Sequence, residues 1–374
     1  MAAALCVLLV VACSSSRPNA APSPSSTAAD PLAAAIAEVM NSYTTLGNVR
    51  AVIVDVDGRP RFERYYSSSA AESRSIYSVT KSVTSTLVGI AISEGRLRLD
   101  ESLAQMLPRY AAEMKPGVAR VTLRQLLTMT GGFTDTSSIP HGELGAPPDW
   151  VRAFLPHQDT APGAEFHYSD YDAHLLAPIL VQATGESVLA YARAKLFDPL
   201  GIVTRPSFEP RITVQTTPQA LAEYEKAGFA WPIDPQGFHL TESLIKLRPR
   251  DMATFGQLFL QAGQWNGRQV VPAAWVSQAT TAQAGKAFPR REAGAFGPTN
   301  YGYFWWVQPA AGATAYHALG YGGQLIEVVP SLHLVIVVSS HVDETKPRAP
   351  VVGNDDLPRL VDAIVPIIKT HPTH

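Results

Sequence analysis

The spacing of apolar positions changes character twice along this chain. The run Ala51-Val52-Ile53-Val54-Asp55-Val56, followed by Asp57-Gly58 and then by Arg61 to Tyr66, reads as two strands joined by a turn carrying the Asp-Gly pair. Pro31 to Ser42 before it has helical spacing, and an amphipathic run from Val83 to Glu94, closed by Gly95, predicts a long helix after it. From about Asp100 to Gly285 helical periods separated by Pro and Gly dominate, among them Thr122 to Met129, Tyr171 to Thr184, Val188 to Leu196 and Asp251 to Ala262. Strand character returns in Gly302 to Val307, Leu325 to Val329 and Leu334 to Ser339, which are short β-branched and aromatic runs. Asp356 to Lys369 reads as a closing helix, a reading that Pro358 and Pro366 weaken.

Strands at both ends with helices between them predict an α/β fold: one antiparallel sheet completed by both termini, flanked by N- and C-terminal helices, with a mostly helical region inserted. The expected organisation is a leader and tether over 1–30 and one folded domain over 31–374. Its α/β part would comprise 31–99 and 286–374, its helical part 100–285, and a cleft between the two is where a site is expected. A chain of 374 residues can bury a core large enough for this.

Charge and the N-terminus change the picture next. A formal net charge of −2 gives no basic field, which argues against nucleic acid as a partner. Met1 to Ala12 is apolar but too short to span a bilayer, and resembles the hydrophobic part of an export signal. Cys13, after Val10-Val11-Ala12 and before Ser14-Ser15-Ser16, resembles the lipid-modified cysteine of a bacterial lipobox. That predicts an exported protein of the cell envelope, held at a membrane by an N-terminal lipid anchor; an ordinary secretory signal that removes Cys13 is the alternative. Met1 to Ala4 departs from both patterns in lacking Lys or Arg. Ser14 to Asp30, rich in Ser, Pro and Ala, reads as a flexible tether. With Cys6 removed and Cys13 lipidated, no thiol remains for catalysis or for a thiolate metal site. The ten histidines form no HExxH pair, so neither metal nor cofactor is expected.

The candidate chemistry begins at Tyr77-Ser78-Val79-Thr80-Lys81-Ser82, where a hydroxyl and an amine stand one helical turn apart at the start of the long helix. A serine hydroxyl attacks a carbonyl carbon only if a neighbouring base takes its proton, and lysine can be that base if its surroundings lower its pKa. The helix start also leaves the Ser78 N–H open to an oxyanion. The same residues fit an ordinary N-cap serine beside an exposed lysine. A second match, Ser243-Leu244-Ile245-Lys246, precedes Pro249 and a new helix near Asp251, so its lysine is expected in a connection. Tyr168, in the loop Phe166-His167-Tyr168-Ser169-Asp170-Tyr171, could reach the cleft, where a nearby Lys81 would favour the phenolate; a tyrosine anchoring its own loop is the plainer reading. Gly320-Tyr321-Gly322-Gly323 allows close approach of a substrate to the backbone, or is a bulged turn.

In order and spacing these three elements resemble the serine β-lactamase and penicillin-binding superfamily, most closely its class C-like branch with family VIII esterases and 6-aminohexanoate-dimer hydrolases. Ser78-Val79-Thr80-Lys81 matches SxxK, Tyr168-Ser169-Asp170 matches YxN, and Ala318-Leu319-Gly320 stands where the family has KTG or HTG. Thr122 to Gly132, Tyr301 to Trp306 and Gly320 to Gln324 support the match. The resemblance implies a serine hydrolase forming an acyl-enzyme on a small ester or amide. Ser78 would be the nucleophile, Lys81 and Tyr168 would share the acid and base roles, and the N–H groups of Ser78 and Tyr321 would form the oxyanion hole, with Asp170 and Gly320 beside the substrate. A D-alanyl peptidase, a β-lactamase or a noncatalytic envelope receptor are the alternatives. Two departures matter: Asp170 replaces an amide that could donate to substrate, and Ala318 and Leu319 remove the cation and hydroxyl that hold a β-lactam carboxylate. His317, next in line, falls on the face opposite Ala318 by strand alternation.

Overall fold

The computed structural model describes residues 30–42, 47–134, 147–212, 217–283, 300–342 and 356–371. Cys13 and most of the expected tether lie outside the described residues.

The apolar run at residues 49–56 forms β1 (Val49–Val56), buried at every position but Arg50, which is what a central strand covered on both faces requires. Asp57 and Gly58 take positive φ and turn the chain into β2 (Arg59–Tyr65), its antiparallel partner. The other partner of β1 is β11 (Leu334–Ser340), so the two ends of the chain meet in the middle of the sheet. Short strands complete the inventory: β3 (Arg74–Ser75), β4 (Lys246–Leu247), β5 (Gln264–Trp265), β6 (Arg268–Gln269), β7 (Asn300–Tyr301), β8 (Trp306–Val307), β9 (Tyr316–Gly320) and β10 (Gln324–Val329). Seven of these make one sheet in the order β2-β1-β11-β10-β9-β8-β7, antiparallel throughout, as the pattern predicts.

Helices cover both faces. On one, α1 (Pro31–Ser42) and the closing helix Asp356–Thr370 bury Leu32, Ile36, Leu360 and Ile364 against Val52, Val54 and Leu325. On the other, α2 (Val79–Ser93) and the helix Pro249–Leu260 share a larger core with Ile326, Val335 and the helices of the inserted region.

Several expectations are corrected. The helix after Ser78 is not amphipathic: Val79 to Ala91 are all buried. Three of its hydroxyls are satisfied internally, Ser82 Oγ donating to Phe304 O at 2.7 Å, Thr84 Oγ1 to Thr241 O at 2.8 Å and Thr86 Oγ1 to Ser82 O of its own helix at 2.8 Å. Hydroxyls that read as a solvent face are therefore contacts between layers. Gly302 to Val307 is not one strand but the hairpin between β7 and β8, bent where Phe304 takes φ +60°. Tyr171 to Thr184 divides into the helices Asp170–His174 and Leu176–Thr184. Lys246, expected in a connection, lies in β4, pairs with Ser75 of β3, and buries its ammonium against the carbonyls of Tyr224 and Glu225, both at 2.7 Å. That second serine–lysine match is thus structural, with its lysine committed elsewhere.

Candidate active site

The path into α2 is set by the small β3–β4 ladder. Ile76 N donates to Ile245 O at 2.8 Å, and Tyr77 then takes φ +45°, a left-handed conformation that is costly for a tyrosine and redirects the chain into the helix. Ser78 occupies the N-cap position but its side chain makes no capping bond. The plain N-cap reading therefore does not describe it. Its hydroxyl instead meets Lys81 Nζ at 3.0 Å, and Lys81, with a side chain only 1% exposed, also donates to Asp170 Oδ1 at 2.5 Å and to the backbone carbonyl of Glu242 at 2.9 Å. An ammonium has three hydrogens, and here each has an acceptor. Burial works against the charge on Lys81, yet the Asp170 carboxylate, with Tyr168 and Glu242, overcomes it and holds the amine well above its usual range.

Tyr168 and Asp170 reach this point because residues 128–132 brace their loop. Met129, itself at φ +56°, accepts from His167 N at 2.9 Å through its carbonyl and from Ser169 N at 3.3 Å through its sulfur. Gly131 N donates to Asp172 Oδ2 at 3.3 Å, and a Cβ on Gly131 would stand 2.2 Å from the other oxygen of that carboxylate, so only glycine fits. Ser169 Oγ accepts from Asp172 N at 3.2 Å and starts the helix that carries Asp170. The Tyr168 ring stacks on Trp306 with centroids 5.7 Å apart, and Lys81 Nζ lies 4.8 Å from its centroid. Burial pushes its phenol up, opposed by the Lys81 cation and by hydrogen bonding to Ser78 and Lys81. At neutral pH the resting set is thus a phenol, an ammonium and a hydroxyl.

The third element arrives on β9. Gly320 closes that strand against the start of α2: a Cβ there would sit 2.3 Å from Ile76 O, two residues before Ser78. Tyr321 follows, half exposed, its ring edge-on to Tyr77 at 5.6 Å. Among the described residues neither the Ser78 N–H nor the Tyr321 N–H donates a hydrogen bond. Opposite Ile326, Ala318 faces the α2 side of the sheet, whereas His317 pairs across with Glu327 and faces the closing helix. Burial pushes His317 down to about 3, so it supplies no cation to the Ser78 side.

Sequence reasoning missed what stands behind Lys81. His174, four residues after Asp170 and one turn along, lies fully buried between Glu242 Oε2 at 2.8 Å and Asp234 Oδ2 at 3.1 Å. Burial alone would push its imidazole down, but the two carboxylates reverse this and raise it to about 10. Glu242 faces both ways, its side chain to His174 and its carbonyl to Lys81. The segment that carries it is tied to α2 by Thr80 Oγ1, which accepts from Ile245 N at 3.2 Å, and to the Asp170 helix by Thr241 Oγ1, which donates to Ala173 O at 2.8 Å. The i, i+4 spacing of Asp170 and His174 was visible, but the acids flanking His174 come from sixty and more positions away. Among the described residues no group of three His, Cys, Asp or Glu is arranged to hold a metal ion.

Comparison with known proteins places the family and the fold. The family profile described as Beta-lactamase matches residues 32–355. Penicillin-binding protein 4 of Amycolatopsis lactamdurans is 31% identical over 130 residues, a stretch that is 33% of this chain and only 33% of that protein. Among solved structures, a Bacillus anthracis protein described as a 6-aminohexanoate-dimer hydrolase superposes with a TM-score of 0.65 at 20% identity, covering 90% of this chain and 83% of the other. The D-amino acid amidase of Ochrobactrum anthropi SV3 does so with a TM-score of 0.66 at 16% identity, covering 92% and 100%. At such identities these two likenesses speak for the fold alone.

Proposed function

The chain belongs to the beta-lactamase family and is a serine hydrolase of that family's kind, and we propose that it cleaves a small ester or linear amide through an acyl-enzyme on Ser78. The observation that carries this is the contact of Ser78 Oγ with Lys81 Nζ at 3.0 Å, beneath the ring of Tyr168 and beside two undirected N–H groups. In this reading Ser78 Oγ attacks the carbonyl carbon while Lys81 receives its proton, and the N–H groups of Ser78 and Tyr321 take the developing oxyanion. The Tyr168 phenol, kept neutral by burial, donates to the leaving oxygen or nitrogen. Water then releases the acyl group by the reverse sequence.

Substrate choice follows from β9. Ala318 and Leu319 offer neither cation nor hydroxyl, so a carboxylate on the substrate, as in penicillin, loses two polar contacts worth about 3–4 kcal/mol together. The aromatic wall of Tyr168, Trp306, Tyr301 and Phe166 favours an uncharged group instead. A panel of short p-nitrophenyl esters, linear amides, D-alanyl peptides and benzylpenicillin, run beside Ser78→Ala, tests the proposal. Esters should be at least about a hundredfold better than benzylpenicillin in kcat/KM, and a fluorophosphonate should label Ser78 alone. Faster penicillin than ester turnover, or a label on another residue, would refute it.

A further inference from the structure

Resting on that reading, one question is where the Lys81 proton goes. A lysine whose three hydrogens all point at acceptors has no lone pair to offer, and until it loses one of them it cannot take the proton of Ser78. Its three partners are Ser78 Oγ, the Glu242 carbonyl oxygen and Asp170 Oδ1. Ser78 is the group to be deprotonated, a peptide carbonyl is too weakly basic to hold a proton, and the Tyr168 phenol, which also reaches Lys81, already carries its own. The remaining partner is a carboxylate, at the shortest of the three contacts, 2.5 Å. We infer that Asp170 is the proton acceptor that converts Lys81 from ammonium to amine.

The surroundings suit such a transfer. Just before α2 the pair meets Ser78; from the 241–246 segment, the carbonyl and the carboxylate of Glu242, with His174 on the far side of that carboxylate; from its own loop, Tyr168; and from β7, Tyr301, which also faces Asp172. Moving one proton from Nζ to Oδ1 turns an ion pair into two neutral groups and leaves the total charge of this enclosure unchanged. Burial works against the charged forms while their pairing favours them, so the ion pair is the resting state and the neutral pair a minor state reached as Ser78 reacts. The glutamate behind it is matched by the protonated His174, so its negative charge does not hold the proton on Lys81 unopposed.

The steps balance. Lys81 Nζ–H breaks and Asp170 Oδ–H forms. The Ser78 O–H proton then passes to Nζ as Oγ bonds to the carbonyl carbon. On collapse of the tetrahedral intermediate the leaving group takes the Tyr168 proton, Tyr168 is refilled from Lys81, and Lys81 from Asp170. The acyl-enzyme therefore regains the resting ammonium, carboxylate and phenol, ready for water. An asparagine at 170, the family's residue, could accept a hydrogen bond from Lys81 but could not hold its proton.

The test compares wild type, Asp170→Asn and Asp170→Glu in single-turnover acylation by p-nitrophenyl acetate from pH 5 to 9.5, with thermal unfolding as the check on folding. Asp170→Asn should acylate at least about a hundredfold more slowly at pH 7, the order of a lost general base, with KM within a few-fold. Its rate should climb with pH toward 9.5, because only spontaneous loss of the Lys81 proton remains, and more steeply than that of the wild type. Asp170→Glu should recover at least tenfold of the loss. A folded Asp170→Asn protein that matches or exceeds wild type at pH 7 would overturn the inference and make Asp170 a brake that holds the lysine charged. A wild-type enzyme that fluorophosphonate does not label at Ser78 would instead remove the hydrolase reading beneath it.

Discussion

Replacing His174 by leucine removes the imidazole that is hydrogen-bonded to both the Glu242 and the Asp234 carboxylates. All three side chains are fully buried, and deleting one partner of such a group strands the others without solvation, a loss of about 3–5 kcal/mol. Unfolding entropy of roughly 2.1 cal/mol/K per residue over the roughly 300 described residues converts that into a fall in Tm of about 5–8 °C. The dependence on pH gives the sharper reading. The folded-state pKa of His174, about 10, lies above its ordinary value of 6.5, so its contribution is fully present below 6.5 and is lost as pH rises toward 10. In that window wild type should lose about 1.4 kcal/mol per pH unit from this group, whereas His174→Leu has no such group to lose. Calorimetric Tm values at pH 6.5 and 9.5 should therefore converge for the two proteins as pH rises. Adding Glu242→Gln and Asp234→Asn to His174→Leu should recover part of the stability at pH 7, because no unpaired charge is then left behind. Parallel Tm profiles, or no recovery in the triple variant, would refute the assignment of His174 as a buried cation.

Gly320→Ala should destabilise the fold by about 1–3 kcal/mol and lower the acylation rate by more than KM changes, because its Cβ would stand 2.3 Å from Ile76 O and push β9 away from Ser78; unchanged kinetics would contradict that contact. Palmitate labelling of cells should tag the wild-type protein and not Cys13→Ser, and the form starting near Asp30 should keep full activity; a soluble wild-type protein that begins after Cys13 would favour ordinary signal cleavage.

What could be read from the sequence was whatever a local pattern determines. β1 announced itself by the apolar run Ala51 to Val54, its turn by Asp57-Gly58, and the order of sheet and helices by the return of strand character after residue 300. The site's first turn was legible for the same reason, since Ser78 and Lys81 are neighbours on one helix. The burial of α2 was not, because Ser82 and Thr84 look like a wet face until Phe304 and Thr241 bring carbonyls to them from more than a hundred residues away. Asp170 was read as a group for the substrate, yet its carboxylate is turned to Lys81, and only a contact 89 positions apart in sequence could reveal that. The Gly302 to Val307 run misled because aromatic residues crowd a hairpin as readily as a strand, and Phe304 at φ +60° carries no sequence signal of its own.

The two departures from the family motifs, at Asp170 and at Ala318-Leu319, bear on one property, the charge the site shows to its substrate. A lysine or histidine on β9 would place a second cation near Ser78, and an asparagine at 170 would leave Lys81 without a neutralising carboxylate. This chain has neither, so Lys81 and Asp170 cancel one another and His317 is turned to the other face of the sheet with its charge suppressed by burial. On the proposed reading, a site in that state offers an anion no cation to pair with, and it gains most from a substrate whose polarity is confined to the carbonyl that the two N–H groups would receive. The same cancellation raises a demand that the family's usual residues do not meet in the same way. A lysine so firmly paired must have a nearby place to leave its proton, and the carboxylate that pairs it is that place. Substrate neutrality and proton handling are thus two consequences of one substitution, and the Asp170→Asn protein should alter both together: slower acylation of neutral esters and a narrower gap between esters and anionic substrates.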